Sequence, residues 1–174
     1  MSIRVRGLIN LIAHGTATPW FEDARAALRD ILSQSDSSGS VRAALGEGVG
    51  YLLDVDPEWV AGQATEWFGD DTSSSPAQQI ALTTAVGVHH YHPRLYELLA
   101  GPMAGAISTG KPIKAGWRAQ KDALQKIGEW IVLAIISGDD SAHGSTPSAF
   151  YVSAPAKTPH LGHFLYRHRG GRRG

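Results

Sequence analysis

The sequence predicts an all-α protein built from pairs of helices, and three observations support that prediction. Apolar residues recur every three or four positions through most of residues 2–137, which is the period of an amphipathic helix. Three of these segments begin with a proline, at Pro19, Pro57 and Pro93, at intervals of 38 and 36 residues. Proline suits the first helical turn, because its missing N–H would have no partner there. Each proline-led segment also follows another amphipathic segment, so we expect a helix pair repeated three times.

The six paired helices are predicted from apolar stripes that follow helical spacing. In chain order the stripes are Val5, Leu8, Ile9 and Ile12; Phe21, Ala24, Leu28, Ile31 and Leu32; Val41, Leu45, Val49, Leu52 and Leu53; Val60, Ala64, Trp67 and Phe68; Ala77, Ile80, Ala81, Thr84 and Val88; and Leu95, Leu98, Leu99 and Met103. Pro102 is expected to kink or end the sixth helix. A seventh helix, from about Gly116 to Ser137, would cover the open end of the last pair.

The same patterns predict helix starts and buried side chains. Thr18, Ser40 and Asp56 are suitable N-cap residues for the helices that follow them. Trp20 and Trp59 both follow a helix-opening proline, so we expect both to pack between repeats, with a ligand-binding surface as the alternative. The residues predicted to be buried are Leu28, Leu45, Leu52, Val60, Trp67, Leu98 and Ile131.

One stretch of the second pair has the pattern of a known repeat family. Ser40-Val41-Arg42-Ala43-Ala44-Leu45, continuing to Leu52-Leu53 and Asp56-Pro57, resembles the first helix of HEAT-like repeats. Val5-Arg6 stands in the matching place one repeat earlier, whereas the third unit has Ile80-Ala81 and lacks the arginine. The resemblance covers roughly residues 2–107 and implies a short right-handed α-solenoid of about seven helices; an irregular helical bundle is the alternative. It implies no residue-level function, because HEAT-like families share architecture and not chemistry.

Composition excludes several classes of protein. The chain has 174 residues and 43% apolar content, enough for one domain with a buried core. It has no cysteine, which excludes disulfides, a thiol nucleophile and Cys-ligated metals. The longest apolar run, Trp130 to Ile136, is far shorter than the roughly 20 residues of a membrane span. No signal-peptide pattern is present either, so we expect a cytoplasmic protein.

Two patterns resemble functional motifs. Gly105 to Lys111 has the G-x-x-x-x-G-K spacing of a phosphate-binding loop, but Pro112 replaces the hydroxyl residue that would bind magnesium. A glycine-rich connector between helices is the preferred interpretation.

His89, His90 and His92 lie close together and could bind a metal with Glu97 if His89 and His92 shared a helix face. No zinc motif accompanies them, so histidines stabilising a helix C-terminus are preferred. The acidic pairs and serine clusters form no catalytic pattern, and no cofactor or metal is predicted.

Charge is distributed unevenly along the chain. Residues 20–71 hold eleven acidic residues and three arginines, whereas residues 108–126 hold five basic residues and one acid. Residues 138–174 are rich in Gly, Ser, Pro and Arg, and we expect them to be mostly disordered or loosely docked beside a helical-repeat domain at 1–137. Phe150-Tyr151-Val152 could form one short strand, although no nearby segment is a clear partner for it. The candidate contacts for nucleic acid or an acidic partner are Lys111, Lys114, Arg118, Lys121, Lys126, Arg167, Arg169, Arg172 and Arg173.

These observations favour a non-catalytic protein-interaction or scaffold module that binds another protein or another domain of a longer chain, with no membrane contact. Nucleic-acid binding through residues 111–126 and the arginine-rich C-terminus is the alternative. The resemblance also permits an enzyme, because HEAT-like folds include base-excision glycosylases and bilin lyases. Trp117, Lys121 and Asp122 are the only local grouping that fits such a role.

Overall fold

The computed structural model describes residues 2–15, 17, 19–34, 38–108 and 123–139. Within these ranges the chain forms seven α-helices and no strand, which confirms the prediction of an all-α protein. The helices are α1 (Ser2–Ala13), α2 (Phe21–Gln34), α3 (Gly39–Val55), α4 (Pro57–Phe68), α5 (Pro76–Val88), α6 (Pro93–Ser108) and α7 (Ala123–Ser137). The predicted strand at Phe150-Tyr151-Val152 and the predicted disorder of residues 140–174 lie outside the described residues.

Two helix starts have side-chain caps, and the cap at Asp56 was predicted. The Asp56 side chain accepts a hydrogen bond from the backbone N–H of Trp59 at 3.0 Å, and Pro57 occupies the first turn of α4. Ser75 and Gln78 form a reciprocal capping box at the start of α5. Each arrangement satisfies backbone N–H groups that a helix leaves without an internal partner.

The start of α3 differs from the prediction. Ser38 holds its N-cap position, so Ser40 lies inside the first turn and is not the cap. Ser38 makes no side-chain bond to the helix backbone, and its hydroxyl instead bonds to that of Ser40 at 2.9 Å. Thr18, the cap predicted for α2, lies outside the described residues.

The odd-numbered helices pack against one another in chain order. α1 contacts α3, α3 contacts α5, and α5 contacts α7, with the most extensive contact between α3 and α5. Each even-numbered helix packs against the odd-numbered helix before it, and α4 also contacts α5 and α6. α3 is therefore the central helix, and its residues from Val41 to Gly46 are all buried.

The core agrees closely with the predicted stripes. Six of the seven residues predicted to be buried are almost inaccessible to solvent: Leu28, Leu45, Leu52, Val60, Trp67 and Ile131. Leu98 differs, because it is only half-buried at the edge of the core. One of its sides faces an open groove between α4 and α6.

Two expectations for α6 concern Pro102, which was expected to kink or end the helix, and Gly105. The helix does not end at Pro102 but continues to Ser108. Pro102 is buried, as are Met103 to Ile107, so tertiary packing stabilises the helix despite the hydrogen bond that proline cannot donate. Gly105, predicted to lie in a glycine-rich connector, is instead a helical residue whose missing side chain admits the backbone of Asp70. The remainder of that motif, residues 109–111, lies outside the described residues.

Arg42 is buried where three helices meet. Only 4% of it is exposed, and it donates to the carbonyls of Leu32 in α2 at 3.2 Å and Glu66 in α4 at 3.4 Å. Both carbonyls lie in a last helical turn, where a cation is favourable. Gln78, which lies 36 residues later, donates to the carbonyls of Thr65 and Glu66 at 3.0 and 3.1 Å. Arg42 in α3 and Gln78 in α5 therefore each bind the C-terminal end of the helix that precedes their own.

The two tryptophans beside the helix-opening prolines are not equivalent. Trp59 is buried, packs edge-to-face on Trp67 and lies 4.6 Å from the Arg25 guanidinium. Trp20 is 59% exposed, so its predicted packing between repeats is wrong. Trp20 precedes α2, and its carbonyl accepts from the N–H of Ala24, whereas Trp59 lies inside the first turn of α4. Successive positions near a helix start point in directions about 100° apart, so these two side chains face different surroundings.

Candidate interaction surfaces

A cleft of about 420 Å³ lies between α1, α3 and α5. Its volume falls within the range of pockets that bind small molecules or side chains of a partner. Three consecutive odd-numbered helices contribute to this one concavity. The lining residues are Arg6, Ile9, Asn10, Ala44, Glu47, Gly48, Tyr51, Val88 and His89.

An ion pair forms one wall of the cleft. The Nε and Nη2 atoms of Arg6 lie 2.9 and 2.8 Å from the same carboxylate oxygen of Glu47. The Arg6 side chain is partly exposed, and a pair in that environment contributes about 0–1 kcal/mol to stability. Its main consequence is geometric, because it links α1 to α3 at the edge of the cleft.

His89 lies at the opposite wall, directly after α5. Its Nε2 atom is 3.2 Å from the carbonyl oxygen of Gly46 in α3. Burial lowers the pKa of His89 below its ordinary value of 6.5, against the opposing influence of the Gly46 and Glu47 carbonyls and the carboxylates of Asp54 and Glu47. The neutral imidazole therefore predominates at pH 7, and it donates its Nε2 proton to the Gly46 carbonyl.

Alternating glycines in α3 set the width of the cleft. A side chain at Gly48 would collide with Ile9 of α1, and one at Gly50 would collide with the His89 ring. At Gly46 a Cβ atom would meet the backbone carbonyl of Ala81 in α5 at a separation that real Cβ atoms do not show. The three glycines therefore let α1 and α5 approach α3 closely.

Exposed apolar side chains are concentrated on the odd-numbered helices. Tyr51 is 61% exposed and Val88 is also exposed, and both line the cleft. Within the described ranges, no large apolar side chain of α2, α4 or α6 is exposed, and Trp20 is the one such residue outside the odd-numbered helices. The exposed members on the odd-numbered helices are Ile3, Leu11, Tyr51, Val88, Leu133 and Ile136.

A second concavity, the α4–α6 groove, lies between α4 and α6. It encloses about 530 Å³. Its apolar part comes from α3, α4 and α6, and three charged side chains stand at its rim. The lining residues are Leu53, Pro57, Glu58, Ala61, Ala64, Arg94, Glu97 and Leu98.

The rim charges of the α4–α6 groove have no partner among the described residues. Within the part of the chain that the structure describes, the side chains of Glu58, Arg94 and Glu97 make no hydrogen bond or ion pair. By contrast, the Arg25 guanidinium lies 3.1 Å from Asp56 and 3.3 Å from Glu22. The groove thus combines an apolar floor with exposed charges that are available to a ligand.

Of the predicted contact residues, the structure describes Lys126 alone. Its ammonium group lies 3.2 Å from the carboxylate of Glu129, one turn further along α7. The remaining eight lie outside the described residues, so their proposed role remains a prediction. These eight are Lys111, Lys114, Arg118, Lys121, Arg167, Arg169, Arg172 and Arg173.

The clustered histidines do not share a helix face. α5 ends at Val88, so His89 packs on α3 while His92 is exposed at the start of α6. Among the described residues, no group of three or more His, Asp or Glu side chains has the arrangement needed to hold a metal ion.

Comparisons with known proteins give no relative. No family model matches the chain, and neither the curated proteins nor the solved structures include a match. None of the described helices is both long enough and apolar enough to cross a membrane.

Sequence analysis missed several residues that form these surfaces. Arg6 and Glu47 are 41 positions apart, and their pairing follows from the contact between α1 and α3 rather than from any local pattern. Gln78 binds the end of α4 much as Arg42 binds the end of α2, and sequence reasoning did not single it out. A strict interval of 36 residues from Arg6 through Arg42 would have identified it.

Proposed function

We propose that the chain is a short HEAT-like α-solenoid that serves as a non-catalytic interaction module, and that its odd-numbered helices bind another protein. The contacts support this architecture, since successive odd-numbered helices pack side by side and each even-numbered helix packs against its predecessor. The equivalent use of Arg42 and Gln78 supports a repeat over an irregular bundle, since both bind the end of the preceding helix. Stacked helix pairs of this kind present one extended face to a macromolecule.

The observation that carries the proposal is that, among the described residues, every exposed large apolar side chain except Trp20 lies on an odd-numbered helix. Exposed apolar patches mark interaction sites, and Tyr51 and Val88 share the α1–α3–α5 cleft. Tyr51 at the mouth of the α1–α3–α5 cleft is the best anchor, because aromatic side chains dominate the binding energy of protein interfaces. The cleft beside it offers room for one side chain of a partner.

The polar groups of the cleft support binding rather than catalysis. The Glu47 carboxylate is engaged by Arg6, and the His89 Nε2 atom is engaged by a main-chain carbonyl. A general base needs a lone pair directed at its substrate, whereas the Glu47 Oε2 atom and the His89 Nε2 atom are each directed at another part of the chain. These groups therefore serve mainly to hold α1, α3 and α5 together.

The nucleic-acid alternative receives no support from the described surface. The described residues include seven basic and thirteen acidic side chains, a balance of −6, and an acidic surface repels a phosphate backbone. The alternative would depend on residues 109–122 and 140–174. Titration of the full chain with duplex DNA at two salt concentrations tests it, since salt-dependent binding would favour it over the proposal.

Affinity enrichment from cells that produce the chain, with a matched pair of variants, tests the proposal. Tyr51→Ala and Trp20→Ala each remove an aromatic side chain of almost equal exposure, 61% and 59%, and only Tyr51 lies on an odd-numbered helix. We expect partners that are retained by Trp20→Ala and lost by Tyr51→Ala. With a purified partner, the Kd should rise roughly tenfold or more for Tyr51→Ala alone. Retention of every partner by Tyr51→Ala, with unchanged Kd, would contradict the proposal.

A further inference from the structure

The α4–α6 groove has a feature that the proposed function does not use. Its floor is apolar, and the side chains of Glu58, Arg94 and Glu97 at its rim have no partner among the described residues. No large apolar side chain of α4 or α6 projects from the surrounding surface. A ligand that fits would bring apolar groups for the floor and mainly positive charge for the rim.

Charge complementarity within the chain indicates such a ligand. Helices α4 to α6 with their connecting loops, residues 57–108, carry five acidic residues against Arg94 alone. The described residues sum to −6, whereas residues 140–174 carry five basic side chains against Asp140 alone, a balance of +4. Oppositely charged surfaces attract each other before they make contact, and a tether strengthens that attraction by raising the local concentration.

The described chain ends near the start of α6. Asp139 is the last described residue, and its carboxylate accepts a hydrogen bond from the Tyr91 hydroxyl at 2.7 Å. Tyr91 is two residues before Pro93, where α6 begins, and Arg94 and Glu97 lie in the first turns of that helix. Residues 140–174 therefore follow a point that is held near the end of α6 that carries two groove residues, Arg94 and Glu97.

The sequence beyond Asp139 contains one segment with the required chemistry. Residues 164–169 read Phe-Leu-Tyr-Arg-His-Arg, so three apolar or aromatic side chains directly precede two arginines. The 24 residues between Asp139 and Phe164 span up to about 80 Å when extended, which exceeds the width of a compact domain of this size. Reach is therefore no obstacle.

We propose that the α4–α6 groove binds residues 164–169 of the same chain. Phe164, Leu165 and Tyr166 fill the apolar floor, and Arg167 and Arg169 pair with Glu58 and Glu97. Short arginine–carboxylate pairs of this kind add geometric specificity to the apolar contact. The proposal concerns α4 and α6, so it is independent of whether the odd-numbered helices bind a partner.

The absence of cysteine from the sequence makes a direct test possible. In the full chain, the double variant Ala61→Cys with Tyr166→Cys places one thiol in the groove and one in the segment. Ala26→Cys with Tyr166→Cys is the matched control, because Ala26 is an exposed alanine on α2. Under mild oxidation we expect the 61–166 disulfide to form within one chain roughly tenfold faster than the 26–166 disulfide, as tethered binding predicts.

Two results would overturn the proposal. Equal rates for the two pairs would show that the segment has no preference for the groove. A 61–166 disulfide that appears only in a covalent dimer would show that the groove takes the segment of a second copy. Non-reducing electrophoresis with mass spectrometry distinguishes these outcomes from the expected one.

Charge variants test whether the arginines of the segment pair with Glu58 and Glu97, which the disulfide rates alone do not show. Glu58→Lys with Glu97→Lys should slow formation of the 61–166 disulfide, and added salt should do the same, because both weaken the ion pairs. Asp23→Lys with Asp30→Lys on α2 changes net charge by the same amount and should leave the rate nearly unchanged. An unchanged rate for the groove variant would contradict the assigned arginine pairing and overturn the proposal as stated.

Discussion

The α3–α5 contact and the α4–α6 contact join neighbouring helix pairs by opposite means. At the α3–α5 contact, Gly46 lets the two backbones approach so closely that no side chain would fit between them. At the α4–α6 contact, the short side chains Ala61 and Ala64 leave an open groove of about 530 Å³. The difference indicates that close backbone packing joins α3 to α5, whereas the contact between α4 and α6 leaves open space between the two helices.

Leucine truncations should give the largest difference between these two contacts. Leu45→Ala or Leu52→Ala in α3 should lower the free energy of unfolding by about 2–5 kcal/mol, because each empties a fully buried site. Leu98→Ala, at the half-buried edge of the α4–α6 groove, should cost less than either. Urea denaturation of the three variants measures this. Costs below about 1 kcal/mol at both Leu45 and Leu52 would show that α3 is not central to the fold.

The next largest difference in stability is expected between substitutions of the two arginines of the Val-Arg pairs, Arg42 and Arg6. Arg42→Met removes a buried cation from the carbonyls of Leu32 and Glu66, so we expect a loss of about 2–3 kcal/mol. Arg6→Met removes a partly exposed ion pair and should cost about 1 kcal/mol or less. Thermal and urea unfolding of both variants provide the comparison. Equal losses would argue that Arg42 does not bind the two helix ends in solution.

Glycine substitutions test how closely α3 and α5 approach each other. Gly46→Ala forces a Cβ atom against the Ala81 carbonyl and should cost about 1–3 kcal/mol, since overpacking displaces backbone. Gly62→Ala, inside α4 and facing open space, should instead raise stability by about 0.5–1 kcal/mol, because alanine favours the helix. The opposite signs make the pair informative. A stabilising Gly46→Ala would mean that α3 and α5 are further apart than described.

The helices were predictable from sequence because their signals are local. Apolar spacing, the cap at Asp56 and the proline at Pro57 all act within one or two turns, and the structure agrees with each of them. The errors arose where tertiary packing decides. Pro102 remains inside α6 because the surrounding core stabilises the helix, and Trp20 is exposed because α2 starts one residue after it.

The candidate surfaces were much less predictable. The α1–α3–α5 cleft depends on Arg6 meeting Glu47 and on His89 meeting Gly46, and no local pattern encodes either pair. Histidine clustering pointed to a metal or a helix end, whereas the function of His89 follows from its packing on α3. Only the alternating glycines of α3 carried a sequence signal for close helix contact. Which helices approach them could be known only from the structure.

The smallest expected effect is the response of the α3–α5 contact to pH. The His89 pKa is lower in the folded chain than its ordinary value of 6.5, because burial disfavours the imidazolium. Below pH 6.5 the unfolded chain therefore binds more protons at this position than the folded chain does, and the free energy of unfolding falls as pH falls. The contribution is constant above the unfolded pKa. It declines from about pH 6.5 down to the folded pKa, even though the carboxylates of Glu47 and Asp54 favour the charged form.

Other groups titrate over the same range, so the test needs a difference measurement. His89→Gln retains an N–H donor for the Gly46 carbonyl but cannot titrate. Urea denaturation of both proteins from pH 8 to pH 5 gives the difference in their free energies of unfolding, and contributions from every other group cancel. The difference should be constant above pH 7. Below pH 6.5 the free energy of unfolding of the wild type should fall relative to that of His89→Gln. A difference that stays flat to pH 5 would mean that His89 is as solvated in the folded chain as in the unfolded one. The imidazole would then not be packed between α3 and α5, and the glycine at position 50 would have no ring to accommodate.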